Sequence, residues 1–193
     1  MSDHVLELDG AIAHVSLPDG LLDDLDEITI EAWIKWHGLG SYGEVLGFGA
    51  PWQVLGINND GTTRTLQFFI YSQVNELHVI RVPGILRLHQ WYHVVAINSR
   101  TGMQLYVNGV LVGAHGYSHR FARICGGKQN YLGRSHWAPN TFFRGQLAEV
   151  RLWDRARHEQ EIRRDMHRPL HGNEAGLVAL WNFAGADAAD ATG

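Results

Sequence analysis

Residues 90–114 read QWYHVVAINSRTGMQLYVNGVLVGA. Trp91, His93 and Val95 alternate with Tyr92, Val94 and Ala96, so the first part reads as a strand that can be buried on both faces. Ser99-Arg100-Thr101-Gly102 is a turn cluster, and Gln104-Leu105-Tyr106-Val107 is a second strand. Asn108-Gly109 follows. Both residues tolerate the positive φ that a type I′ turn requires, so Val110-Leu111-Val112 returns antiparallel to the second strand. Leu105, Val107, Val110 and Val112 are apolar, which predicts a core face on both arms of the hairpin. These residues place an antiparallel sheet in mid-chain.

The same pattern extends outward in both directions. Upstream, strands are expected at Val5–Leu8, Ile12–Leu17, Glu27–Trp36, Glu44–Phe48, Gln53–Ile57, Leu66–Tyr71 and Glu76–Val82. In Glu27–Trp36, Ile28, Ile30, Ala32 and Ile34 share one face. Downstream, strands are expected at Asn130–Arg134, Phe142–Trp153 and Gly176–Phe183. One short helix is predicted after His158, where Glu161 stands at capping-box spacing and Pro169 stops the run. Many short strands separated by Gly, Pro and Asn turns argue for an all-β, two-sheet antiparallel sandwich.

At 193 residues and 45% hydrophobic content, the chain is long enough to bury a core as one domain spanning residues 1–193. Its net charge of −4 gives no bulk attraction to nucleic acid or anionic lipid. The Arg-rich run from Arg144 to Arg168 is interspersed with Glu149, Asp154, Glu159, Glu161 and Asp165, and reads as a solvated, salt-bridged face. A single cysteine, Cys125, excludes an internal disulfide. The opening MSDHVLELDG has neither the basic nor the apolar region of a signal peptide, and no run reaches the ~18 apolar residues of a membrane span. No direct membrane contact is expected. The closing Ala-Asp-Ala-Thr-Gly reads as mid-loop, the composition of a domain cut from a longer protein.

Seven segments in order, LELDG, ITIEAWIKW, QWYHVVA, MQLYVNGVLVG, NYLGRS, FFRGQLAEVRLWDRARHEQEI and GLVALWNF, resemble the laminin-G-like branch of the concanavalin A-like jelly rolls. The resemblance implies two antiparallel sheets of six or seven strands. It implies a non-catalytic module of a larger bacterial protein that binds carbohydrate or protein beside neighbouring domains. It also implies Ca²⁺ in many members. Here Ala13 and Ala148 stand where members often carry Asp, and Ca²⁺ wants six to eight oxygens. Asp9 and Glu149 remain, and Glu149 has a nearby Arg as an alternative partner. No cofactor or metal is therefore expected.

The candidate ligand-binding residues are tryptophans outside the strand interiors, with their polar neighbours. Trp137 shares a loop with His136, Asn140 and Arg134, and Trp36 and Trp52 lie at strand ends or in loops. An aromatic face suits the CH groups of a pyranose. Trp33, Trp91, Trp153 and Trp181 lie in strand patterns and are expected in the core. The alternative is a β-glucanase-like glycoside hydrolase with Glu27 and Glu31 as its carboxylate pair. Those residues fall on one face, about 13 Å apart along a strand, and retention needs roughly 5 Å between carboxyls. A third reading is a structural or protein-interaction domain with no small ligand. Histidines 89/93 and 115/119 lack the helical setting that would make i, i+4 pairs into metal ligands.

Overall fold

The structure is a computed structural model and describes residues 4–119, 129–137 and 142–184. Among the described residues, thirteen strands and one helix follow in chain order: β1 (Leu6–Asp9), β2 (Val15–Leu17), β3 (Ile28–Trp36), β4 (Glu44–Ala50), β5 (Gln53–Asn59), β6 (Leu66–Gln73), β7 (Glu76–Val82), β8 (Trp91–Ser99), β9 (Gly102–Val107), β10 (Val110–His115), β11 (Gln129–Leu132), β12 (Arg144–Trp153), α1 (Glu159–Asp165) and β13 (Leu177–Trp181). They form two antiparallel sheets. One has the order β1-β12-β3-β8-β9-β10 with β13 also on β12; the other is β2-β11-β4-β5-β6-β7. The expected two-sheet jelly-roll sandwich is thus present, with sheets of seven and six strands.

The mid-chain stretch behaves as its turn chemistry requires. Asn108 and Gly109 have φ of 51° and 75°, and Val107 pairs with Val110 across the turn. The hairpin's second arm departs from expectation: Val110 and Leu111 are exposed, because β10 is an edge strand whose register slips between Leu111 and Gly113.

Between the sheets lies one continuous core, built from alternate residues of each strand, such as Ile28, Ile30, Ala32 and Ile34 of β3 facing Phe48, Leu55 and Phe68. Fully burying an aliphatic or Phe side chain contributes about 1.5–3 kcal/mol, so this core dominates the stability.

The seven-stranded sheet is buried on its second face as well, which is why β8 reads apolar on both sides. Val95, Ile97 and Tyr106 of that face pack against Ile162 of α1. The chain after β12 is laid over the sheet by polar ties. Thr29 Oγ1 donates to the Arg155 carbonyl (2.7 Å) and accepts from the Arg157 N–H (3.0 Å). Trp33 Nε1 donates to the Met166 carbonyl, and Arg163 Nε to the Gly109 carbonyl. The helix begins as its sequence predicts, with the Glu161 carboxylate accepting the His158 N–H at 2.9 Å.

This roof corrects in part the reading of Arg144–Arg168 as a solvated, salt-bridged face: Arg144, Arg163, Arg164 and Arg168 are exposed, but Glu149, Arg151, Arg157 and Asp165 are not. Strand alternation does point Arg151 away from the core, but α1 and its flanks cover it. Arg151 and Arg157 are both buried. Glu31 is bonded by Arg157 and flanked by Arg151 Nη1 (3.5 Å) and His93 Nε2 (3.3 Å). Arg157 also binds Asp165, and Arg151 binds Glu149. Glu149 sits at φ 48° on the bulge that shifts the β12–β3 register between Ala148 and Arg151.

Two carboxylates of the roof make the fold acid-sensitive. The Arg164 hydrogen bond, opposed by burial and aided by Arg157, holds Asp165 down to about 2 from 3.8. The Arg155 hydrogen bond, opposed by burial and aided by the His158 N–H, holds Glu161 down to about 2 from 4.5. Depressed folded-state values stabilise fully above the unfolded values and lose that contribution as pH falls toward about 2. Each is worth on the order of 2 kcal/mol by this linkage. Urea midpoints measured at pH 7, 4.5 and 2.5 should therefore fall steeply between the last two; a midpoint flat across that interval would contradict the assignment.

Candidate functional site

The face of the six-stranded sheet turned away from the core carries a different set of side chains. Cross-strand register aligns Glu44, Asn58, Gln67 and Arg81 in one row, and Gly47, Gly56 and Phe69 in the next. A third row holds Val54 and Tyr71 beside Gly49. The adjacent glycines leave room for their neighbours. Any side chain on Gly47 would overlap the Glu44 carboxylate and the His136 ring, and one on Gly56 would overlap the Phe69 ring. A cavity of about 340 Å³ opens here, within the range of small-ligand sites.

Aromatic rings wall one side of the cavity. Trp52 meets Trp137 edge-on at 5.9 Å and Tyr71 edge-on at 5.5 Å, while Tyr71 lies 5.1 Å from Trp137. Phe69 lies behind, 6.1 Å from Trp137. These spacings are those of interacting aromatic pairs. Trp52 is 37% exposed and takes φ 69° in the tight β4–β5 turn, a conformation that a bulky residue adopts rarely and at a cost of order 1 kcal/mol.

The polar side is built around Glu44, which is 1% exposed. His136 Nε2 lies 2.6 Å from the Gln129 carbonyl, which only accepts, so Nε2 carries the hydrogen. Its Nδ1 faces Glu44 Oε1 at 3.5 Å, too far for a good hydrogen bond. Glu44 Oε1, His136 Nδ1 and Asn58 Oδ1 are all buried without a hydrogen-bond partner. Burial pushes the Glu44 carboxyl up, against the opposing pull of His136 and Ser135. Arg81, at the cavity's edge, is paired with Asp60 at 3.2 Å.

Of the residues singled out from sequence, Trp52, Trp137 and His136 are brought together here. Arg134 is not among them: its guanidinium lies over the Tyr131 ring at 4.8 Å, with Nη1 3.4 Å from His14. Asn140 lies outside the described residues. Trp36 is in the core, packed edge-on against Tyr92 and Phe143, and offers no ring face to a partner. It continues the inward parity of Ala32 and Ile34, a signal present in the sequence. Of the four strand tryptophans, Trp33, Trp153 and Trp181 are buried, while Trp91 is half-buried beneath Lys35. Glu44, Asn58, Phe69 and Tyr71 were not anticipated. In LQFFIYSQ the outward parity of Phe69 and Tyr71 is visible, but the bare glycines that open the space beside them carry no such mark.

Glu27 and Glu31 do not form a catalytic pair. Glu31 is fully buried beneath the roof of the other sheet. Burial raises its carboxyl, but the His93 hydrogen bond and the charges of Arg157, His93 and Arg151 outweigh this and hold it below the usual range. Glu27 accepts the Arg100 N–H at a strand end.

A family model described as the concanavalin A-like lectin/glucanases superfamily, of laminin-G type, matches residues 9–163. The chain belongs to this superfamily. No curated protein matches the sequence. Among solved structures, this chain is similar to a candidate carbohydrate-binding protein from Bacteroides ovatus, with 18% identity and a TM-score of 0.64. That match covers 96% of this chain but 50% of the Bacteroides chain, so this chain spans half its length. It is also similar to domain 4 of the extracellular GH43 arabinanase AbnA from Geobacillus stearothermophilus, solved with arabinotriose. Identity is 18% and the TM-score 0.65, over 83% of this chain and 75% of that one. A third is the sialidase CBM40 of Ruminococcus gnavus, bound to α2,3 sialyllactose. Identity is 13% and the TM-score 0.66, over 85% and 97%.

Among the described residues, the positions at which the resemblance implies Ca²⁺ offer few free carboxylate oxygens. Asp9 Oδ1 already accepts the N–H groups of Ala11, Ile12 and Ala13 at 2.8, 3.0 and 2.9 Å, which holds its carboxyl below the usual range. Ala13 and Ala148 supply no side-chain oxygen, and Glu149 is bound to Arg151. Among the described residues, no group of three or more His, Cys, Asp or Glu could hold a metal ion.

Proposed function

We propose that the chain is a non-catalytic glycan-recognition module whose site is the outer face of the six-stranded sheet. One observation carries the reading: Trp52, Tyr71 and Trp137 wall a cavity whose opposite side presents buried hydrogen-bonding atoms without protein partners. Apolar ring faces suit the CH face of a sugar, and unsatisfied polar atoms suit its hydroxyls. The unfavourable backbone of Trp52 supports the reading, since it holds the ring against Tyr71 and Trp137. The similar arabinanase domain and CBM40 were each solved with an oligosaccharide. Neighbouring domains of a longer chain would then be delivered to the glycan, or the glycan to them.

A glycan array probed with the protein tests this. Binding to a defined set of sugars is expected. Absence of any hit, in Ca²⁺ or in chelator, would overturn the reading in favour of a protein-interaction domain. We further propose that recognition needs no Ca²⁺. Chelation should leave the melting temperature and the array profile unchanged, whereas a profile that appears only with added Ca²⁺ would contradict this.

A further inference from the structure

We infer that the cavity takes a neutral sugar residue, one of whose hydroxyls donates to the Glu44 carboxylate beside Asn58, and that it excludes sugars carrying a carboxylate. The inference rests on the glycan-recognition reading and adds the ligand class.

The charge at the back of the cavity decides this. Because His136 Nε2–H is committed to the Gln129 carbonyl, only Nδ1 can exchange a proton with Glu44. With one proton between them the pair is neutral, and with none it is anionic. Only a doubly protonated pair is cationic, and that form buries an imidazolium with no counter-charge, which is costly. Both the Glu44 and the His136 side chains are essentially without solvent contact. Asn58, 5% exposed, presents a second unpartnered oxygen. Arg81, the one cation among the described residues that line the cavity, is paired through Nε with Asp60.

A carboxylate brought against Glu44 would face a pair that is neutral or anionic, and would shed its water against like charge. A sugar hydroxyl behaves differently. It donates to the Glu44 carboxylate, and its own oxygen remains free to accept. Its ring can then lie toward the Trp137 and Trp52 wall. Gly47 and Gly56 are required here, because any side chain on either would occupy the space taken by Glu44 and Phe69.

Calorimetric titration of the intact chain tests this, with neutral trisaccharides (arabino-, xylo-, gluco- and galacto-) and two acidic ligands, trigalacturonate and sialyllactose. Binding of at least one neutral sugar is expected, with both acidic ligands more than about tenfold weaker. Glu44→Gln and Asn58→Leu should each weaken the neutral sugar by about tenfold while thermal melts show both variants folded. An acidic ligand binding as tightly as the best neutral sugar would overturn the inference and leave the recognition reading standing. Neutral binding untouched by both variants would do the same. If Glu44→Gln does not fold, Asn58→Leu and the neutral-to-acidic ratio of the unmutated protein decide. Binding of no sugar at all would remove the recognition reading and this inference with it.

Discussion

Arg157→Ala is expected to lower the unfolding free energy by about 3–5 kcal/mol, and the melting temperature of a domain this size by roughly 6–20 °C. The magnitude does not come from counting salt bridges. A buried ion pair gains little net free energy, since desolvation offsets most of the attraction. The cost arises because removing one partner strands the others. Arg157 is bonded to Glu31 and Asp165, both buried, and its guanidinium lies 4.0 Å from the Trp153 ring centre. In the variant, Glu31 keeps only the longer contacts to Arg151 and His93, and Asp165 keeps the solvent-facing Arg164. Glu159→Gln is the matched control. Its pair with Arg163 is about half exposed on both sides, so that bridge contributes less than about 1 kcal/mol. Urea denaturation of both variants separates the cases. A loss of under about 1 kcal/mol in Arg157→Ala would show that the roof is not held by this cluster.

The second large effect is on binding. Trp137→Ala should weaken the glycan found on the array by about 2 kcal/mol or more, roughly 30-fold, because Trp137 touches every other ring of the wall. It lies within 6.1 Å of Trp52, Tyr71 and Phe69 at once. Trp52→Gly should cost a similar amount in affinity without destabilising the fold, since glycine takes the positive φ of this exposed turn without strain. Calorimetry measures the affinities and thermal melts check the fold. Unchanged affinity in both variants would place the glycan elsewhere.

How much of this could be read in advance follows from what each signal encodes. Period-2 alternation and the Asn108-Gly109 turn are local, so β3, β7, β8 and the β9–β10 hairpin are legible from sequence to within a few residues. Burial depends on what another element does. The two apolar faces of β8 announce a cover over the sheet, but Arg151 and Glu31 carry a polar outward pattern, and nothing local announces that α1 supplies that cover. The same limit applies to the site. Trp52 and Trp137 stand out because loop tryptophans are conspicuous, but they are 85 residues apart and meet only through the β11–β4 pairing. Glu44 looks like any strand-end glutamate until Gly47 and Gly56 are seen beside it. Trp36 shows the opposite error, a residue at a strand end whose inward parity outweighs its position.

The central claim is that the outer face of the six-stranded sheet is the recognition surface. The most direct measurement is a titration of the indole Nε1–H signals by nuclear magnetic resonance with the sugar that the array selects. The signals of Trp52 and Trp137 should move while those of the buried Trp36, Trp153 and Trp181 stay in place. Movement confined to other tryptophans, or none at saturating sugar, would contradict the account.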